Sequence, residues 1–501
     1  MFKNALVSVS DKTGLEDFLR PLADKGLRIV SSGGTARYLK ERGFEVTLVS
    51  DQTQFPEVMG GRVKTLHPNI HMPLLQRADV VSDQETLAEH GLQPFDLLVV
   101  NLYPFAEALQ KDLNEKEMVE FIDIGGPTLL RAAAKNFLSV SVVCDPQDYK
   151  WVNEKSELTQ QDRKTLSAKV FRHVSQYDAM IANYLNPENP IWGAGRPHKV
   201  LRYGENPQQD GHWFVDSKQG IHEASILQGK ELSYNNLLDL DASLQALSLF
   251  DEPTVVSVKH NNPCGVATAT TIAEACEKSL AADPVSVFGG IIAFNRSIDK
   301  ASASALTQLF LECIVAPGVD DEARDILASK KNLRVLIWPN LSETLKVKTA
   351  SFRSLSGGYL WQSPDEVQID SSQWDLVSGE LSGEDRKGLE FSWKVCASLK
   401  SNAISITGVD QSYGLGMGQV NRVDAVEQAL SRLKQFHPDQ KNYYLASDAF
   451  FPFPDSIEKA AAGGVRGIVQ PGGSVKDELV IAKAKELNIP MLLTGRRHFR
   501  H

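Results

Sequence analysis

Lys259 and His260, adjacent in KHNNPCG, are the sharpest chemical signal in the second half of this 501-residue sequence. They follow the apolar run TVVSV directly, so they stand at the end of a buried strand, and a turn rich in Asn, Pro and Gly follows them. A neutral imidazole can take up a proton near pH 7, and an ammonium beside it can face a developing oxyanion. The plainer alternative is a satisfied histidine at a strand end.

The first half offers anion chemistry. SDKTG (Ser10, Asp11, Lys12, Thr13, Gly14) and SGGT (Ser32, Gly33, Gly34, Thr35) each sit where a strand gives way to a helix. Free N–H groups and the helix dipole favour an anion there, and the two glycines allow close backbone approach. Either motif alone reads equally as an N-cap with a tight turn; two at one edge of a sheet favour phosphate. RVKTLHP carries the cations Arg62 and Lys64, or is an exposed loop. NLYPF places Asn101 and Tyr103 past a buried strand. IDIGG sets Asp123 before a Gly-Gly-Pro helix start, as a reactive group or a cap. RAAAKN puts Lys135 on a helix of small residues, where a solvated face is the usual fate of a lysine.

Several patterns are missing. There is no GxxxxGK[ST] nucleotide loop and no HExxH, and GLGMG (Gly414 to Gly418) has the wrong spacing for GxGxxG and reads as a turn between strand and helix. Zinc deaminases need HxE and PCxxC, but Pro263-Cys264 has no second cysteine in register. No catalytic metal is expected.

These residues need elements to hold them. Strands are expected at Ala5–Val9, Leu27–Val30, Phe44–Val49, Phe95–Val100 and Ser139–Val143. Helices are expected from Leu15 to Gly26 and over Ala36–Arg42, Pro127–Asn136 and Lys169–Tyr184. This alternation predicts an α/β fold with a parallel, doubly wound sheet. The Pro- and Gly-rich stretch Asn186–Lys199 reads as a linker. Beyond it, one series of elements runs from Thr254–Val258 to Leu333–Trp338 and a matching series from Ala403–Thr407 to Met491–Thr494, which suggests an internal duplication.

The composition, with 42% hydrophobic and 23% charged residues, is that of a globular protein. A net charge of −10 with no basic run argues against nucleic acid as a partner. No 18-residue apolar stretch or signal peptide is present, so no membrane partner is expected. The five scattered cysteines read as reduced thiols in a cytoplasmic protein.

Taken in order, SDKTG, SGGT, GGRVKTLHP, NLYPF, IDIGG, LLRAAAKN, LRYGENPQQ, KHNNPCG, SDAFFPF and the closing RRHFRH resemble the bacterial form of the bifunctional AICAR formyltransferase / IMP cyclohydrolase family, from Leu6 to His501. The resemblance implies the last two steps of purine synthesis. AICAR would take a formyl group from 10-formyltetrahydrofolate to give FAICAR, whose ring then closes to IMP. It implies a methylglyoxal-synthase-like cyclohydrolase domain at 1–195 and a formyltransferase domain at 196–501. The latter would comprise two cytidine-deaminase-like units at about 200–345 and 346–501. By the same resemblance Ser10, Asp11, Lys12, Ser32, Gly33, Gly34, Thr35, Arg62, Val63, Lys64, Thr65, Asn101, Asp123 and Ile124 hold the nucleotide, and Lys135, Tyr103, Asp123 and Lys64 act in ring closure. In the second domain His260 would be the general base, Lys259 its electrostatic partner and Asn402 a catalytic amide. Arg202, Tyr203, Gly289, Glu312 and Arg422 would contact the ribotide. Phe450, Asp455, Gln470, Pro471 and Arg497 would build the folate side. Glu312 stands where some relatives carry Asp. The resemblance further implies a homodimer with formyltransferase sites at the subunit interface. A zinc-free relative of nucleoside deaminases and a non-catalytic nucleotide sensor stay open as alternatives.

Overall fold

A computed structural model describes residues 2–155, 157–186, 195–215, 219–346, 350–367 and 369–501. Packing divides the chain into Met1–Arg196 and Pro197–His501. Most of the expected linker, residues 187–194, lies outside the described residues, as do residues 347–349 beside the expected boundary at 345/346.

The first unit is built on β1 (Asn4–Ser8), β2 (Arg28–Ser31), β3 (Val46–Leu48), β4 (Leu97–Val100) and β5 (Ser141–Val143), all parallel in the order β3-β2-β1-β4-β5. The central strands β1 and β4 are largely apolar because helices cover both faces, and Ala5, Leu6, Leu97, Leu98 and Val99 are fully buried. The expected doubly wound sheet is therefore present. The long helix Gln160–Leu185 begins nine residues before the expected Lys169, because Thr159 and Asp162 close a capping box ahead of a polar first turn.

The second unit opens with the paired strands β6 (Arg196–Leu201) and β7 (Gly211–Val215). Its first sheet contains β8 (Ser225–Gln228), β9 (Thr254–Lys259), β10 (Asn262–Thr268), β11 (Ile291–Phe294), β12 (Cys313–Ala316) and β13 (Arg334–Ile337). A hairpin, β14 (Ser351–Leu355) with β15 (Gly358–Gln362), leads to a second sheet. That sheet contains β16 (Asp375–Ser378), β17 (Ile404–Thr407), β18 (Ser412–Gly416), β19 (Tyr444–Ser447), β20 (Gly467–Gln470) and β21 (Met491–Leu493). The orders are β10-β9-β11-β12-β13-β8 and β18-β17-β19-β20-β21-β16, with the same sequence of antiparallel and parallel pairings. The duplication is thus carried by topology, although few residues match between the copies.

Two readings of the sequence are corrected here. GLGMG is not a turn before a helix: Gly414 and Gly416 lie in β18. HNNPCG is not a loop either: only His260 and Asn261 turn, and Asn262 already begins β10. The glycines serve close packing. A Cβ on Gly414 or Gly416 would stand 2.1 or 2.0 Å from the Ala429 or Ala425 carbonyl of the helix Arg422–Phe436, and a Cβ on Gly265 would stand 2.1 Å from the Ser279 carbonyl of the helix Ile272–Ala282. Each repeat thus seats a helix backbone directly on its hairpin strand.

Candidate active sites

In the first unit the strand order reverses between β1 and β4, and open parallel sheets take ligands at the C-terminal ends of such a pair. Asn101 locks that edge. Its Oδ1 accepts the Ser10 and Asp11 N–H groups at 2.6 and 3.0 Å, and its Nδ2 donates to the Asp11 carbonyl at 2.7 Å. Lys12 folds back to donate to the Ser10 carbonyl at 3.2 Å. The hydroxyl and N–H of Thr13 donate to Asp11 and hold its carboxyl below the ordinary value. Thr35 is buried and spends its hydroxyl on the Val9 backbone, accepting at 3.1 Å and donating at 2.9 Å. Ser32 is buried at the head of the helix Gly33–Glu41, and its Oγ has no partner. The Gly33 N–H donates to the Glu57 carboxylate at 3.2 Å, so a carboxylate already rests where the helix end favours an anion.

The loop carrying Arg62 to Thr65 folds over this edge. Val63 pairs with Val58 across a tight turn in which Met59, Gly60 and Gly61 have positive φ, and Arg62 is ion-paired with Glu120. Lys64 lies beside Gly33, whose added Cβ would stand 3.7 Å from its Nζ. Thr65 is buried against Gly125, at the start of the helix Gly125–Lys135. Asp123 heads that helix and accepts the Gly126 N–H at 2.8 Å. Burial raises its carboxyl pKa, opposed by the Gly126 N–H, the Lys64 ammonium and the Tyr103 backbone. Tyr103 and Ile124 are exposed beside it. Lys64, Asp123 and Tyr103 are therefore gathered. Lys135 is exposed at the far end of the same helix, about 15 Å along its axis at 1.5 Å per residue, and is not gathered with them within one chain.

In the second unit β9 and β10 are joined by a two-residue turn, His260–Asn261, with φ of 52° and 61°. Positive φ at both positions is the geometry that twisted hairpins favour, but a left-handed non-glycine residue costs about 1–3 kcal/mol and persists only where its surroundings enforce it. The turn leaves the imidazole exposed. Lys259, at the end of β9, donates to the Phe288 and Gly289 carbonyls at 2.9 Å each, which leaves one of its three donors for a ligand. Gly289 has φ +69°, and a Cβ there would stand 2.8 Å from the Lys259 Nζ. Glu312 is next to it, donating its N–H to the Gly290 carbonyl and accepting Arg334 at 2.8 Å.

Asn262 ties the turn to LKSN, accepting the Lys400 N–H at 3.2 Å. Asn402 in that segment donates to the Gln419 carbonyl at 2.8 Å and accepts Arg422 at 2.7 Å. Arg422 is buried and also binds Asp448 at 2.5 Å and the Ser447 hydroxyl at 2.8 Å, while Ser401 bonds the second Asp448 oxygen. The segment 498–500 closes the group: the His498 N–H donates to the Asp448 carbonyl at 3.2 Å, and the Ser401 N–H donates to the Arg500 carbonyl at 2.9 Å. Arg497 is exposed over the Phe499 ring, and Phe450 is partly exposed two residues from Asp448. Asp455 is the first residue of the helix Asp455–Ala462 and accepts the Ser456 N–H at 2.7 Å. Gln470 is buried and accepts the Phe451 N–H at 2.9 Å, and Pro471 beside it is buried. Arg202 and Tyr203 lie exposed and half-buried on the loop after β6, which Asn235 ties to the helix Tyr234–Leu247 through the Glu205 carbonyl at 3.2 Å. A cavity of about 230 Å³ adjoins Lys259 and His260, walled by Cys264, Asp283, Tyr413 and Arg432. Burial pushes the Cys264 thiol up to about 12, so it is no thiolate at neutral pH.

A family model described as "AICARFT/IMPCHase bienzyme" matches residues 133–432, more than half of the chain, and one described as "MGS-like domain" matches residues 14–128. The chain belongs to the AICARFT/IMPCHase bienzyme family. It is 46% identical to the "Bifunctional purine biosynthesis protein PurH" of Synechocystis sp. over the whole of both chains. It is 44% identical to the protein of that name from Aquifex aeolicus, over 99% of this chain and all of the other. With the Bacillus subtilis protein the figure is 45%, over all of this chain and 99% of the other. A solved chain titled "Crystal structure of ForH" is 33% identical over 38% of this chain and all of its own, with a TM-score of 0.34, too low to bear on the fold. As a member of the bienzyme family the chain carries both activities, formyl transfer to AICAR and ring closure to IMP, the last two steps of purine biosynthesis.

Some supporting residues of this bienzyme carry no local signal in the sequence. Tyr177 accepts the Asp123 N–H at 2.8 Å and donates to the Phe121 carbonyl at 2.7 Å, from a helix more than fifty residues downstream. His71 is held by the Thr65 backbone; burial lowers its pKa and leaves its Nε2 without a partner. Glu57 and Asp239 likewise stand outside any recognisable motif. Among the described residues no group of three or more His, Cys, Asp or Glu gathers as metal ligands, and no helix is long and apolar enough to cross a membrane.

Proposed function

We propose that the two units divide the two reactions, with ring closure in Met1–Arg196 and formyl transfer in Pro197–His501. The observation that carries this reading is the presence of two self-contained clusters: Lys64, Asp123 and Tyr103 at one sheet edge, and Lys259 with His260 on a hairpin of the other unit. In the second unit the AICAR amine attacks the formyl carbon of 10-formyltetrahydrofolate. His260 takes the amine proton, the remaining Lys259 donor faces the oxyanion, and collapse of the intermediate expels the folate nitrogen, to which the imidazolium hands the proton back. Arg202, Tyr203, Gly289, Glu312 and the Arg422–Asn402 pair set the ribotide, and Phe450, Asp455, Gln470, Pro471 and Arg497 set the folate. In the first unit the FAICAR carboxamide nitrogen attacks the formyl carbon and water leaves. That step is intramolecular, so positioning carries much of it. The Asp123 carboxyl, raised by burial, suits proton transfer there, and the Ser10–Lys12 and Ser32–Thr35 turns with Arg62 to Thr65, Asn101 and Ile124 receive the nucleotide.

Cutting the chain after Arg196 tests the division. The fragment Met1–Arg196 is expected to fold and to cyclise supplied FAICAR at a near-normal rate. A folded fragment without cyclase activity would refute the assignment.

We further propose a cytoplasmic homodimer. The hairpin β14–β15 is exposed along both strands and carries Leu355, Tyr359, Leu360 and Trp361, an apolar arm that suits cover by a second copy. Sedimentation should give twice the mass of one chain, and Leu360→Asp/Trp361→Asp should shift it toward the single-chain mass. A fully active monomer would sink the proposal.

A further inference from the structure

The turn that carries His260 is held from beneath. Asp239, on the helix Tyr234–Leu247, accepts the Asn261 N–H at 2.6 Å. With its amide nitrogen facing the helix, the Asn261 side chain donates to Asp239 at 3.2 Å and to the Leu238 carbonyl at 3.0 Å. Asn262 braces the turn from the side, donating to the His260 carbonyl at 3.1 Å while accepting the Lys400 N–H. Both turn residues sit in left-handed backbone without being glycine, and a two-residue hairpin turn of this kind normally uses Asn-Gly or Asp-Gly. The sequence alone therefore does not favour the geometry; the carboxylate beneath it does.

We propose that Asp239 is a positioning residue for formyl transfer: it holds the His260–Asn261 turn in its left-handed form and so fixes where the His260 imidazole points. The inference rests on reading His260 as the base. Burial raises the Asp239 carboxyl pKa, opposed by the Asn261 N–H and by the charges of His260 and Lys259, as expected of a group packed under this turn. The same helix face carries Asn235, one turn earlier, which ties down the loop of Arg202 and Tyr203. One helix thus sets both the base and a ribotide-binding loop.

The test is a small set of variants of the full chain, assayed with AICAR and 10-formyltetrahydrofolate. Asp239→Ala should lower kcat by at least about tenfold, since small misplacements of a reacting group are costly, while KM for AICAR moves by less than about threefold. Asp239→Asn keeps an acceptor for the Asn261 N–H and should stay within about fivefold of the parent. Asp239→Ala/Asn261→Gly should recover part of the lost kcat, because glycine adopts the left-handed turn without a tether. FAICAR cyclisation in the same preparations should be unchanged. An Asp239→Ala kcat within twofold of the parent overturns the proposal. So does an Asp239→Asn variant as impaired as Asp239→Ala, or a double variant with no recovery. If Asp239→Ala does not fold, the Asp239→Asn and Asn261→Gly single variants decide: both should keep kcat, and loss in either overturns the proposal. Full formyl transfer by His260→Ala would instead defeat the base reading itself.

Discussion

His260→Ala is expected to lower formyl transfer by roughly 10²–10⁴, the usual cost of removing a general base, and to leave cyclisation of supplied FAICAR near normal. The imidazole is exposed at a hairpin tip, so truncating it opens no cavity in a core. Lys259→Ala should cost about 10²–10³, as for an oxyanion donor, with some loosening of the Phe288–Gly289 loop that its ammonium ties down. The mirror experiment is in the other unit. Lys64→Ala should depress cyclisation while sparing formyl transfer, so that FAICAR accumulates when both substrates are supplied. Lys135→Ala is the informative companion. The family resemblance assigns Lys135 to ring closure, yet within one chain it stands a whole helix away from Asp123. A loss in Lys135→Ala equal to that in Lys64→Ala would place it functionally beside Asp123 despite that separation. A loss of both activities in folded His260→Ala would defeat the division of labour.

The second large effect is on stability. The Arg422–Asp448 pair has side chains 5% and 0% exposed, and Asn402, Ser401 and Ser447 complete its hydrogen bonds. Asp448→Ala leaves a guanidinium buried without a counter-charge, which costs about 3–5 kcal/mol. Denaturant unfolding of the second unit should shift by that amount, formyl transfer should be lost, and cyclisation should survive at denaturant levels where the second unit has already opened. Arg422→Met/Asp448→Leu should cost less than the sum of the two single changes, because it removes both charges together. Equal, additive losses would show that the pair is not coupled.

Much of this architecture is legible in the sequence. The parallel sheet announces itself because its strands are buried on both faces and need no alternation, as in Leu97–Val100. The repeat is legible as an order of elements, which the two sheets share although few residues match. Strands β10 and β18 are hidden because Pro263 and Gly265 interrupt the first, and Gly414 and Gly416 the second. Gly265, Gly414 and Gly416 look like turn residues until the overlying helices are seen to leave no room for a side chain. Lys259 and His260 are legible as motif residues and Asn402 through the family resemblance, whereas Asp239, Tyr177 and Glu57 are not. Each of these three acts on a segment more than twenty residues away, and nothing in its own neighbourhood marks it.

The bonds made by His498 and Arg500 have a consequence in time. Ser401 and Asp448, which frame Asn402, bond to the backbone of Arg500 and His498, far downstream in the sequence. During synthesis the first unit can close around β1 to β5 while most of the second is still unmade. The network around Asn402 waits until His498 and Arg500 have been made and have left the ribosome tunnel. With ring closure in the first unit, as proposed, a translating population would acquire the later step of the pathway before the earlier one.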